Sequence, residues 1–405
     1  MHLGRKIYVA LVDAIRCTAA FIFAAGPFIV DAIVRAIQDR GAHDDRLPPS
    51  ILGLVQGGPK LWTALSGRET VKVECAEKDQ LEQHANSTDR AWLSIEYADG
   101  ETCSVFAKVQ AKSLLVRSML GIFDVYRNEL DAYANVEMPV LVPGVHIAKW
   151  SRSRFVLALS DLRAQGAEFP NIWEKHVDVA LAQQVLTTLA SIHGTFWTSA
   201  RIPAGAWRDG SRPYKGKLVA LMTLRRVKKR CPGLIPDDMY ALWSKAMWHW
   251  DDLRAFYSRA SAPKCMCHGD THMGNFFIAS DGAVGTFDFQ VKAEEHPMRD
   301  VTYFLTSSYP KEHLARDERR LIEFYLAELR KRVPRGEAAT VPTFDDSWLQ
   351  YRLQGYYAMF AAVFSGGFSD LMDEHQTRCF LERLIAQMER VDAAGALDDL
   401  LAGRI

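Results

Sequence analysis

The residues best suited to chemistry lie in one stretch, His268-Gly269-Asp270-Thr271-His272-Met273-Gly274-Asn275, with Asp288 shortly downstream. Between them Phe276-Phe277-Ile278, the turn Ser280-Asp281-Gly282 and Gly285-Thr286-Phe287 read as strand, turn, strand. Such a hairpin would carry Asp288 back beside the loop and gather two carboxylates and an amide at one end of a short sheet. Phosphoryl transfer from ATP needs such a set. One carboxylate would orient the attacking hydroxyl and accept its proton, and two oxygen ligands would hold the Mg2+ that neutralises the phosphates.

Asp270 and Asn275 stand five apart, as in the protein-kinase loop H-R-D-x-x-x-x-N, and Asp288 takes the place of the D-F-G aspartate. With His268-Gly269-Asp270 in place of H-R-D, the full string H-G-D-x-H-x-G-N resembles the aminoglycoside phosphotransferase and choline kinase-like superfamily. Asp288-Phe289-Gln290 and Arg299-Asp300-Val301-Thr302-Tyr303-Phe304-Leu305 look closest to its ecdysteroid kinase-like branch. The likeness is dense from Cys267 to Leu305 and thinner across the rest of Trp92 to about Phe368. It implies an α+β, bilobal protein-kinase-like fold with a β-rich N-terminal lobe and a mostly helical C-terminal lobe, using ATP and Mg2+.

That expectation extends upstream. A kinase holds the α- and β-phosphates with a strand lysine locked by a glutamate on the next helix. Val105-Phe106-Ala107-Lys108-Val109 and Tyr126-Arg127-Asn128-Glu129-Leu130 supply Lys108 and Glu129 in that order. Leu157-Ala158-Leu159-Ser160-Asp161-Leu162 resembles the inter-lobe hinge that meets adenine, which makes Ser160 and Asp161 nucleotide-contact candidates, although family members often carry glutamate in place of Ser160. The phosphate-covering loop, placed at Asn86-Ser87-Thr88-Asp89-Arg90, has no glycine, so serine hydroxyls and backbone amides would do the cradling. His268 and His272 are expected to brace the catalytic loop, and Asp300 resembles a position that orders it.

The elements that must position these groups are legible from pattern. Ala91–Tyr97, the turn Ala98-Asp99-Gly100-Glu101 and Cys103–Gln110 predict a hairpin, Asp124–Asn135 a helix, and Gly144–Lys149 and Arg154–Leu159 further strands. Beyond Leu162 the period becomes helical. Val177, Leu181, Val185, Leu189, Ile192 and Phe196 mark one face of a long helix, with His193 on that face as a hydrogen-bonded core residue. Leu321–Val333 and the aromatic run Trp348–Phe368 also read as helices; Trp348, Tyr351, Tyr356, Tyr357, Phe360 and Phe364 are core or acceptor-pocket candidates. Glu294-Glu295-His296 either faces a substrate or forms an exposed turn before Pro297, and the turn is the favoured reading.

The chain has 405 residues, with Lys plus Arg and Asp plus Glu both totalling 49, so its charge carries no sign of a nucleic-acid binder. The expected division is a helical extension over 1–50, an N-terminal lobe over 51–158 and a C-terminal lobe with catalytic loop and acceptor site over 159–405. Seven scattered cysteines fit reduced thiols in a cytoplasmic protein, and Cys265 and Cys267 fit alternate positions on a strand. Residues 8–37 are apolar. Their uncharged run Cys17–Val30 is shorter than the about 20 residues that span a bilayer, which favours packing on the fold, then peripheral membrane contact, over a cleaved or spanning segment.

The leading reading is an ATP-dependent kinase acting on a hydroxyl of a small, hydrophobic molecule such as a steroid or phenol, as the ecdysteroid-like branch implies, with no obligate protein partner evident. An antibiotic acceptor, aminoglycoside or macrolide, is second; a polycationic sugar would ask for more acid than Asp370, Asp373 and Glu374 provide. A pseudokinase binding module is the alternative of another class, opposed by the joint presence of Lys108, Glu129, Asp270, Asn275 and Asp288. A protein kinase is disfavoured because no A-P-E follows and Gln290 replaces the D-F-G glycine.

Overall fold

The computed structural model describes residues 47–76, 88–112, 117, 120, 125–151, 154–170, 177–198, 201, 213–259, 263–367 and 371–405. The apolar segment 8–37, Asn86 and Ser87 of the expected phosphate loop, and Asp370 lie outside them.

The N-terminal part is an antiparallel sheet of β1 (Thr70–Cys75), β2 (Thr88–Tyr97), β3 (Thr102–Gln110), β4 (Val145–Ser151) and β5 (Arg154–Ser160), in the order β1-β2-β3-β5-β4. Alternation on β3 decides the roles of its two faces. Val105, Ala107 and Val109 join Leu93, Ile95 and Ala158 beneath helix α1 (Ile51–Ser66), with Trp62 wholly buried between. Phe155, Leu157 and Leu159 point to the other face and pack on Tyr126 and Leu130 of α2 (Val125–Asn135). Lys108, opposite Leu157 in the ladder, lies on this second side.

Pattern does not announce α1, because Gly57-Gly58-Pro59 runs through it. The helix survives through a kink, with Gly58 at φ 57°. Its start is fixed twice over: Ser50 Oγ accepts from Gly53 N–H at 3.1 Å, and the carboxylate of Asp89 accepts from Ile51 N–H at 3.0 Å. Thr88, Asp89 and Arg90 are therefore strand residues of β2, with Asp89 spent on capping a helix.

The C-terminal part is helical: α3 (Val179–Thr195), α4 (Pro213–Arg230), α5 (Asp237–Trp248), α6 (Trp250–Tyr257), α7 (Met298–Ser308), α8 (Lys311–Arg332), α9 (Phe344–Gly366), α10 (Glu374–Arg390) and α11 (Ala393–Leu401). One large core joins them. α3 lies so close to α8 that a Cβ on Gly194 would sit 2.6 Å from the Arg332 Cβ. Three short strand pairings hold the loop region: β6 (Cys265–Cys267) with β9 (Ala293–Glu295), β7 (Phe276–Ile278) with β8 (Val284–Thr286), and a bridge from Glu168 to Ile278. The expected exposed turn at Glu294-Glu295-His296 is thus corrected. Glu294 and Glu295 form a half-buried strand, and His296 is buried with Nδ1 accepting from Met298 N–H at 3.1 Å. Among the described residues no helix is long and apolar enough to cross a membrane.

Candidate active site

Gly269 explains the geometry of the loop after β6. Its φ is +86°, and a Cβ would run into the Val291 carbonyl oxygen, so only glycine fits. Both of its backbone groups are used. The N–H donates to Asp300 Oδ1 at 2.9 Å, and the carbonyl accepts from the Tyr357 hydroxyl at 2.7 Å. Asp300, at the start of α7 and wholly buried, also accepts from His268 N–H at 2.6 Å, and its carbonyl accepts from the Thr271 hydroxyl. The expected ordering residue is therefore a clamp on three successive parts of the loop.

Behind Asp300 stands His193, bonded to Asp300 Oδ2 at 3.0 Å and to the Tyr325 hydroxyl at 2.7 Å. Burial opposes a charge on this imidazole, but the carboxylate outweighs it and raises the pKa to about 9. Asp300 is correspondingly held below the ordinary aspartate value: burial pushes it up, and the bond to His193 more than offsets that. The neighbouring Cys265 and Cys267 point inward from β6, their thiols donating to the carbonyls of Glu295 and His296 at 3.6 to 3.8 Å. His193 and the two sulfurs come within 4.8 Å of one another. With both imidazole nitrogens and both thiols already engaged, the trio is a packed, hydrogen-bonded core.

His268 is buried against Phe289, accepts from Asp270 N–H at Nδ1 and donates from Nε2 to the Phe287 carbonyl at 2.9 Å. These bonds tie Asp270 to the segment leading into Asp288. His272 is more exposed, with Nε2 3.7 Å from Asp270 Oδ2 and Nδ1 lacking a hydrogen-bond partner among the described residues. Of the two expected braces, His268 holds the loop by bonds and His272 flanks the carboxylate.

The short helical turn Met273–Asn275 then presents Asn275, whose Nδ2 donates to the Asp270 carbonyl at 2.8 Å. That bond turns the amide oxygen the other way, free to act as a ligand. Phe287 N–H donates to the Asn275 carbonyl at 3.1 Å across the β7–β8 hairpin, which brings Asp288 alongside as the pattern implied. Asp288 has φ +69°, a left-handed conformation that few residues other than glycine adopt. Two oxygen donors of this kind suit a hard cation such as Mg2+.

From the other lobe, Lys108 Nζ reaches Glu129 Oε1 at 2.8 Å and Asp288 Oδ1 at 3.4 Å. Burial alone would lower the lysine pKa, but the two carboxylates outweigh it and raise it. Asp288 is held below its ordinary value because Lys108 overcomes the effect of burial. Glu129 is pushed up to about 7, by burial first and against the pull of Lys108. The ion pair expected from sequence is therefore formed, and it extends to the far lobe.

The hinge candidates sit differently. Ser160 N–H is bonded to the Gly144 carbonyl and its hydroxyl lies 3.1 Å from His146, while Asp161 N–H is bonded to the Ser104 carbonyl. The Asp161 carboxylate accepts from the Ser104 hydroxyl and from Arg163 N–H. Both N–H donors are already taken. Beside them an aromatic wall that pattern did not single out lines the Lys108 face: Trp92 and Phe106 lie 4.8 Å apart, with the Arg163 guanidinium 3.7 Å over Trp92.

Two further contacts were also not singled out by pattern. Tyr133, one turn after Glu129, accepts from Asp288 N–H at 3.3 Å, and Lys292 donates to the Asn128 carbonyl at 2.9 Å. The helical spacing from Glu129 to Tyr133 was the available signal for the first. Burial lowers the Lys292 pKa to about 8. The aromatic candidates on α9 divide: Tyr351 and Tyr356 are core, while Tyr357, Phe360 and Phe364 form a half-buried face with Trp250 stacked on Phe360 at 5.3 Å.

Residues 220–335 match the model of the ecdysteroid kinase-like family, a span that contains the loop 268–275, Asp288 and Asp300. No curated protein matches the sequence. Similar solved structures include choline kinase LicA from Streptococcus pneumoniae, at 12% identity over 79% of this chain and 94% of that one, with a TM-score of 0.45. Spectinomycin phosphotransferase in complex with ADP and spectinomycin aligns at 11% identity over 82% of this chain and 97% of that one, TM-score 0.44. A Plasmodium vivax ethanolamine kinase aligns at 8% identity over 76% and 80%, TM-score 0.39.

Proposed function

We propose that this chain is an ATP-dependent, Mg2+-requiring phosphotransferase that phosphorylates a hydroxyl of a small, hydrophobic molecule in the cytoplasm. The observation that carries the reading is the meeting of Lys108 and Glu129 with Asp288 from the opposite lobe, at the hairpin that also sets Asn275 beside Asp270. The ecdysteroid kinase-like match over 220–335 supports it. The half-buried aromatic face of α9 supports an apolar acceptor.

In this reading Lys108, kept protonated by its two carboxylates, contacts the phosphates, and Glu129 fixes its reach. Asn275 through its amide oxygen and Asp288 through its carboxylate would hold Mg2+, which when bound neutralises the phosphate charge. Asp270, held by the Gly269 and His268 contacts, orients the acceptor hydroxyl and takes its proton as the oxygen attacks in line. Trp92 and Phe106 offer the adenine an apolar wall beside Lys108.

The test is ADP release from Mg·ATP across steroids, phenols, aminoglycosides and macrolides. Wild type should turn over one compound class. Asp270→Ala should lose about a hundred- to ten-thousand-fold in turnover with nucleotide affinity retained, whereas Asp288→Ala should also weaken Mg·ATP binding. Equal loss of ATP affinity in both variants would contradict the assigned roles. ATP binding without turnover by wild type on any compound would favour a silent binding module.

A further inference from the structure

The catalytic loop is tied to the acceptor-side helix by one side chain. Tyr357 of α9 donates its hydroxyl to the Gly269 carbonyl at 2.7 Å, and Arg299 donates to that hydroxyl oxygen at 2.6 Å. The guanidinium also lies 3.8 Å over the Tyr357 ring and 3.5 Å from Glu295 Oε1. We propose that Tyr357, oriented by Arg299, is a positioning residue that sets Asp270 for proton acceptance.

Three observations carry this. Gly269 is the residue immediately before Asp270, so its peptide plane fixes the direction in which the Asp270 side chain leaves the backbone. The N–H side of Gly269 is already held by the buried Asp300, so the Tyr357 bond supplies the second of two restraints on one residue. Tyr357 also heads the half-buried face that continues through Phe360 and Phe364 at helical spacing. Burial lifts the phenol pKa to about 12, so the hydroxyl stays a donor throughout the working pH range.

The proposal rests on the kinase reading, and the experiment separates the two. Acceptor-independent hydrolysis of Mg·ATP is measured, with water taking the place of the alcohol, so the acceptor need not be identified. Tyr357→Phe keeps the ring and its stack with Arg299 and removes only the hydroxyl. It should lower kcat by about tenfold, the scale of one positioning hydrogen bond, with KM for ATP unchanged because Lys108 and Asp288 are untouched. In an Asp270→Ala background the same substitution should have no further effect, since a residue that acts through Asp270 has nothing left to aim.

An unchanged kcat in Tyr357→Phe, or an equal tenfold loss in both backgrounds, would overturn the positioning role and leave the kinase reading standing. A parallel rise in KM for ATP would mark a general structural defect and overturn it also. Wild type that neither hydrolyses Mg·ATP nor turns over any compound of the panel would remove the kinase reading and the positioning role with it; where wild type turns over a compound but not water, the same comparison is read on that compound.

Discussion

Asp300 carries four contacts on one buried side chain and its own carbonyl: to His268 N–H, Gly269 N–H, His193 and the Thr271 hydroxyl. The charge on His193 is what makes that burial tolerable, because an unpaired carboxylate in the core would be strongly disfavoured. A histidine whose folded pKa is raised contributes stability fully below its unfolded value near 6.5 and loses that contribution as pH rises through the folded value, here about 9. The melting temperature of wild type should therefore exceed that of His193→Gln most at pH 6, and the gap should narrow as pH climbs from about 6.5 through 9. A gap that does not change between those limits would mean His193 is neutral in the fold. Periodicity alone placed His193 on a buried helix face, since apolar spacing in α3 is regular. Its partner was not legible, because Asp300 lies more than a hundred residues away and only the folded chain joins them.

Helix α2 is the element that ties Lys108 to the segment around Asp288. It bears Glu129, its Tyr133 hydroxyl accepts from Asp288 N–H, and its Asn128 carbonyl accepts from Lys292. Lys292→Met removes that last donor while the Asn128 carbonyl keeps its partner within the helix, so the direct loss is one hydrogen bond, about 0.5 to 1.5 kcal/mol. Its larger effect should be a looser α2, seen as weaker Mg·ATP binding by calorimetry with the Asp270-dependent step unaltered; unchanged ATP affinity would show that α2 needs no tether. The β2–β3 hairpin, α2 and the β4–β5 pair were readable because alternation and a turn signal act locally. α1 was not, since its stability comes from Asp89 across the sheet and from Trp62 in the core, contacts that override Gly-Gly-Pro. The same tertiary override turned the acidic Glu294-Glu295 from an expected turn into a strand, because β6 needed a partner.

At the scale of the molecule, separate cores serve the sheet with α1 and the helical bundle, and the site lies where Lys108, Tyr133 and Lys292 cross between them. A ligand that holds such a junction closed stabilises it by mass action, by about 2.7 kcal/mol at a hundredfold excess over Kd. Adding Mg·ADP should slow amide hydrogen exchange in β3, α2 and the loop 268–275, and leave α10 and α11 unchanged. Protection spread evenly over the bundle would place the nucleotide elsewhere. The α+β layout and the identity of the loop residues were legible because they are written in contiguous stretches. The crossing contacts were not, because each joins residues from opposite lobes.

The left-handed backbone of Asp288 has a consequence for how this sequence can change. Glycine would relax the conformation and aspartate or asparagine tolerate it better than other side chains, at a strain of about 1 to 3 kcal/mol. The position is thus constrained from two directions: the backbone favours small or absent side chains, and the charge opposite Lys108 asks for a carboxylate. Aspartate is where the two demands intersect, so selection for heat tolerance and selection for activity pull this one residue apart.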